Sequence, residues 1–218
     1  VNPGVTQWTI SIFFLTTGIG QLLMGPLSDS YGRRRIILIS VFIFFVGSIL
    51  CFVSPNPISL IISRGIEGFG ACGMMVCAFS TVRDIFTGSE IGEVSSWLNS
   101  TIVLSPVIAP IIGGYLAFWY GWRSNFIFLS IMSAIILVMV IWRLKETHSK
   151  SNRVPFDNGV WGRYLQVLKN KAAMIYILCG SCALASFLTG FAVAPYLVEN
   201  LMHKPETQFG YYWAALGI

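Results

Sequence analysis

Apolar residues run together for long enough to cross a bilayer at about 6–27, 36–54, 58–82, 95–119, 124–143 and 172–198. Another apolar run opens near Phe209 and reaches Ile218. A hydrocarbon core takes about 20 residues of helix to span. In lipid each backbone group must also bond within its own segment, so each run predicts a transmembrane helix. Polar residues bunch between the runs, at Gly25–Arg35, Ser54–Pro57, Arg83–Glu93, Tyr120–Arg123, Lys145–Lys171 and Glu199–Thr207. The pattern predicts an all-α polytopic membrane protein with six complete transmembrane helices and the start of a seventh. With Val1 in first place and the last run only just begun, the chain reads as a piece of a longer protein.

Composition agrees. Only 11% of the residues are charged, against roughly 25% in soluble domains, and mean hydropathy is +0.73. The net charge of +5 does not point to nucleic acid, because the basic residues lie between apolar runs rather than on one solvated face. Eleven of the 14 Lys and Arg fall in alternate connections: Arg33, Arg34, Arg35, Arg83, Arg143, Lys145, Lys150, Arg153, Arg163, Lys169 and Lys171. By the positive-inside rule, the loops at about 25–35, 83–93 and 144–171 are cytoplasmic. The last is long enough to divide a first helix group, 1–143, from the start of a second, 172–218. Near its end Trp161–Lys169 has apolar residues at helical spacing with basic partners, the pattern of a short helix on the membrane surface. Cys51, Cys72, Cys77, Cys179 and Cys182 all sit inside apolar runs without histidines at metal-ligand spacing, so they read as small packing residues and no metal site is expected.

The first charged connection carries Gly25-x-Leu27-x-Asp29-x-x-Gly32-Arg33-Arg34, which resembles the cytoplasmic loop motif between helices 2 and 3 of the major facilitator superfamily. Arg64-x-x-Glu67-Gly68-x-Gly70-Ala71 is similar to the fourth-helix motif, with glutamate where glutamine is common. Ser105-x-x-x-Ala109-Pro110-x-x-Gly113-Gly114 is similar to the fifth-helix antiporter motif, with Ser and Ala replacing two glycines. Arg83–Phe86, Gly121–Arg123, Leu144–Thr147 and Phe209–Tyr212 narrow the resemblance to the bicyclomycin-resistance type of drug:proton antiporter. The resemblance implies a partial major facilitator fold, helices 2 to early 8, in a bacterial inner membrane. It implies a monomeric secondary transporter that exports drugs or amphipathic small molecules in exchange for protons by alternating access, with no cofactor. A metabolite exporter or symporter of the same superfamily is the alternative, and a membrane enzyme or assembly subunit a more distant one. The sequence shows no catalytic constellation and no phosphate-binding loop.

The residues also have a chemistry of their own. Gly25 and Gly32 permit tight turns, while Asp29 can cap a helix end or pair with Arg33. With Arg34 these residues read as a cytoplasmic latch; the plain alternative is that the arginines anchor the inner face and Asp29 offsets them. Asp84 is expected to pair with the arginine cluster or to remain a solvated loop charge. Arg64 and Glu67 lie within a span, where a charge costs about 2.5–3.5 kcal/mol on insertion scales and tends to mark a pathway. Their spacing of three puts them on one face, as a proton-linked or substrate-sensing pair or as a static buried ion pair that fixes helix packing. Ser105, Ala109 and Gly113 form a small-residue stripe that lets another helix approach, and Pro106 and Pro110 each remove a backbone donor. The resemblance implies that the stripe packs against the missing half. Gln21, Asn99, Thr101, Phe187, Phe191 and Tyr196 are weak candidates for the substrate cavity.

Overall fold

The computed structural model describes residues 3–149, 153–154, 156 and 159–196; the apolar run near Phe209 lies outside them. Its regular structure among the described residues is all helical: α1 Pro3–Tyr31, α2 Arg33–Val53, α3 Pro57–Ile85, α4 Ser89–Tyr120, α5 Ser124–Arg143, α6 Gly159–Lys169 and α7 Lys171–Tyr196. The first five are long and apolar enough to cross a membrane. All six spanning runs of the sequence thus appear as helices, with α6 as the short amphipathic segment before the last.

Local chemistry sets the breaks. The α2–α3 turn ends one helix with Ser54, whose hydroxyl donates to the Cys51 carbonyl at 2.8 Å. It starts the next with a capping box, in which Ser59 N–H donates to Asn56 Oδ1 at 2.8 Å. Pro57 follows at the first helical position, where its missing N–H costs nothing. Gly88 and Gly121 close the other two sharp turns at positive φ, 57° and 81°.

Two connections are much shorter than the polar stretches suggest. Residues 25–35 are not a loop: α1 runs on to Tyr31 and α2 begins at Arg33, leaving only Gly32 between them at φ 100°. Gly25 is helical and turns nothing, and a Cβ there would meet no atom within 4 Å. Likewise 83–93 shrinks to Phe86–Gly88. In both places polar residues form the last turn of one helix and the first turn of the next.

Pro26 inside α1 would be expected to break it, because proline leaves the carbonyl four residues back without its donor. That carbonyl belongs to Leu22, and the hydroxyl of Tyr164 on α6 donates to it at 2.6 Å. Burial pushes the Tyr164 phenol above its usual range, with a further contribution from the Asp29 charge.

The core lies where α3 packs between α1 and α2, and small residues bring the helices together. A Cβ on Gly68 would strike the α1 backbone at Phe13, and one on Gly70 the α2 backbone at Phe44. Gly47 of α2 faces the backbone of Glu67, whose Cα would lie 2.7 Å from an added Cβ. Cys51, Cys72 and Cys77 are buried in this packing, and Cys179 and Cys182 are exposed on α7. On the far side α2 packs against α5, and α4 runs unbroken through Pro106 and Pro110.

Candidate functional site

The charged residues at the Gly32 end of the bundle converge on Arg33. As the first residue of α2 it is only 7% exposed, sunk between the ends of α1 and α3. Its Nη1 lies 2.6 Å from Asp29 Oδ1 on α1 and also donates to the Ser28 hydroxyl. Its Nε donates to Asp84 Oδ2 on α3 at 3.0 Å. One guanidinium therefore ties three helix ends, using the fork geometry that suits arginine to two carboxylates. Arg34 points the other way, donating to the Ile141 carbonyl at the end of α5 at 2.9 Å.

The segment after α5 closes this cluster from below. Glu146 Oε1 accepts the backbone N–H of Arg33 at 2.9 Å, placing a carboxylate at the free N-terminus of α2, where the helix dipole favours it. Glu146 Oε2 lies 3.6 Å from Arg153, and His148 Nδ1 lies 3.7 Å from Asp84 Oδ2. Ser30 donates to the Val154 carbonyl at 2.6 Å. Gly32 is needed here for its positive φ of 100°; a Cβ would also press on the movable side-chain ends of Glu146 and Arg153.

Of the predicted latch residues, Asp29, Gly32, Arg33 and Asp84 come together; Arg34 reaches α5, and Gly25 is a helical bystander. The sequence reading missed Glu146, His148 and Arg153 as partners of this cluster: it used Glu146 as part of the Leu144–Thr147 resemblance and Arg153 as a marker of sidedness. The one available signal was the alternation of sign across Lys145-Glu146 and Arg153 in a segment that must start beside the arginines.

The second charged group lies within the span. Arg64 Nη1 is 2.5 Å from Glu67 Oε2 on the same face of α3. Glu67 has no exposed surface. Its other oxygen accepts from Ser48 of α2 at 2.8 Å, and the Cys51 thiol lies 3.7 Å from Oε2. Arg64 stacks under the Phe13 ring of α1, 4.3 Å from its centre, with Phe126 of α5 at 5.8 Å. Ser48 and Cys51 were also missed, although small polar residues three apart in an otherwise apolar run were a usable signal. Glu67 is thus a carboxylate with both oxygens occupied, wedged against Gly47, while Arg64 is the partner that keeps some exposure.

On α4, Thr101, Ser105, Ala109 and Gly113 line a groove of about 440 Å³ whose far wall includes Asn125 and Phe128 of α5. Pro110 and Gly114 lie half-buried on the same helix. Gln21 and Asn99 are exposed elsewhere, Gln21 Nε2 standing 3.8 Å from Met75 Sδ. Phe187, Phe191 and Tyr196 fall within α7, their side chains outside the described residues.

These features define a multi-pass helical membrane protein whose first two helices meet in a single-glycine turn over a charge cluster. The sequence pattern of the Major Facilitator Superfamily matches residues 1–218, and the chain belongs to that superfamily. It is 31% identical over 215 residues to a chloramphenicol resistance protein of Pseudomonas aeruginosa, covering 97% of this chain and 50% of that protein. A bicyclomycin resistance protein homolog of Haemophilus influenzae is 27% identical over 98% of this chain and 54% of its own length. Multidrug resistance protein D of Escherichia coli is 27% identical over 98% of this chain and 57% of its own length. The chain spans about half the length of these relatives, and its fold is accordingly a partial major facilitator fold.

Proposed function

We propose that this chain works as part of a secondary transporter of the bacterial inner membrane. The transporter exports drugs or amphipathic small molecules in exchange for protons by alternating access. The observation that carries this reading is the Arg33 cluster: a nearly buried guanidinium bonded to two helix ends, with Glu146 of the following segment against its backbone. Such a cluster holds one packing of the helix ends and must be broken for them to part, as a two-state device requires. The resistance relatives support a drug as cargo.

In this reading the Arg33 end is cytoplasmic, since the basic connections gather there. Residues 1–143 are the first bundle, 144–171 the strap between the halves, and 172–218 the start of the second bundle. The Ser105–Ala109–Gly113 stripe, with Thr101, faces the groove that the second half fills, and Pro110 and Gly114 lie half-buried on the same helix. The Arg64–Glu67 pair is assigned to holding α2, α3 and α1 together around a buried charge rather than to carrying the proton. This follows from the full enclosure of Glu67 and its bonded oxygens.

The test is accumulation of a drug panel in an efflux-deficient host expressing the full reading frame, with and without a proton gradient. Export that lowers accumulation only when the gradient stands is the expected result. Accumulation unaffected by both gene and gradient overturns the proposal, and gene-dependent export that persists without the gradient overturns its antiport part.

A further inference from the structure

The corner between α6 and α7 is a second candidate surface, independent of what the transporter carries. The two helices meet at 85°, so a spanning α7 lays α6 along the plane of the bilayer. Asn170 fixes the corner: its N–H donates to the Val167 carbonyl at 3.0 Å. Its Oδ1 accepts from Ala172 and Ala173 at 3.1 and 3.2 Å, an N-cap for α7.

One face of α6 is already used. Val160 is buried and Tyr164 is bonded to the Leu22 carbonyl, which docks the helix beside the last apolar turns of α1. An adjacent stripe at i, i+4 and i+7 has no such cover among the described residues: Trp161, Leu165 and Leu168 are 62%, 55% and 59% exposed. Lys169 and Lys171 stand at the end of this stripe, on either side of the capping Asn170. Residues 159–171 contain three basic side chains, Arg163 included, and no acidic one. An apolar stripe ending in lysines, lying in plane at the height where α1 turns polar, matches a bilayer interface with anionic headgroups. A protein partner would have to bury the stripe against the two lysines as well.

We infer that α6 seats in the cytoplasmic leaflet as an anionic-phospholipid binding helix. Trp161, Leu165 and Leu168 enter the acyl boundary, and Lys169 and Lys171 pair with lipid phosphates. Each basic side chain near such a surface favours the seated state about fivefold, so the lysine pair makes the seat strongly dependent on lipid charge.

Amide hydrogen exchange of the full-length transporter in nanodiscs tests this, comparing neutral phosphatidylcholine with a mixture containing about 30% phosphatidylglycerol. Exchange across residues 159–169 is expected to slow by about tenfold or more in the anionic discs, while α3 exchanges equally in both. Lys169→Gln with Lys171→Gln reduces the difference to less than about twofold, and Lys169→Arg with Lys171→Arg restores it. Leu165→Ser speeds exchange of α6 in the anionic discs. Equal exchange of the native α6 in the two membranes, as a water-facing or protein-covered helix would give, overturns the inference. So does a lipid response that survives loss of both lysines.

Discussion

Removing Arg33 from its cluster should cost unequal amounts along its two arms, and the inequality can be worked from exposure. The Asp29 carboxylate is 47% exposed and four residues away on the adjoining helix end, so its pair belongs with surface ion pairs worth about 0.2–1 kcal/mol. The Asp84 carboxylate is 19% exposed and faces an arginine side chain that is 8% exposed. Breaking a fully buried pair costs about 3–5 kcal/mol, and partial exposure brings this arm to about 2 kcal/mol. A double-mutant cycle separates the arms, combining Arg33→Gln first with Asp84→Asn and then with Asp29→Asn. Unfolding of the purified full-length protein by SDS titration, followed by circular dichroism, supplies the free energies. The expected coupling is about 2 kcal/mol for Arg33 with Asp84, roughly a 30-fold change in equilibrium, and about 0.5 kcal/mol for Arg33 with Asp29. A coupling to Asp84 no larger than that to Asp29 would refute the view that Arg33 chiefly clamps α2 to α3.

Gly25→Ala should leave thermal stability unchanged or raise it by up to about 1 kcal/mol, because the site is helical and open. Gly32→Ala should lower it by at least about 1–2 kcal/mol, the penalty for an alanine at positive φ, with a visible drop in melting temperature. Glu67→Gln should destabilise by about 2 kcal/mol, since the Arg64 it leaves without its carboxylate is 19% exposed, against about 1 kcal/mol for Ser48→Ala. Equal SDS-unfolding midpoints for these two variants would remove Glu67 from its anchoring role.

The helices were legible because an apolar run longer than the bilayer is thick leaves the backbone no alternative, and α1 to α5 and α7 fall on the runs. Their ends were not. Gly25, Pro26 and the charges after them carry every local mark of a turn, yet the helix continues, and the bond that replaces the one Pro26 removes comes to the Leu22 carbonyl from Tyr164, 142 residues beyond Leu22. No local rule contains that partner. The Arg64–Glu67 pair was readable because three residues on one helix fix a face. The hydroxyl and thiol that complete it come from α2 and depend on how the helices pack around Gly47. Arg33 and Asp84 could be matched by sign alone, whereas the place of Glu146 at the start of α2 depends on where the chain turns after α5.

The Leu22 carbonyl also has a consequence for the order in which the protein is made. When a ribosome has released the first five helices, α1 is already in place without the hydroxyl that stands in for the amide donor Pro26 lacks. That hydroxyl emerges only with residue 164. The second helix group is therefore preceded by the piece that finishes the first, and α1 reaches its settled form only after the segment joining the two halves has been synthesised.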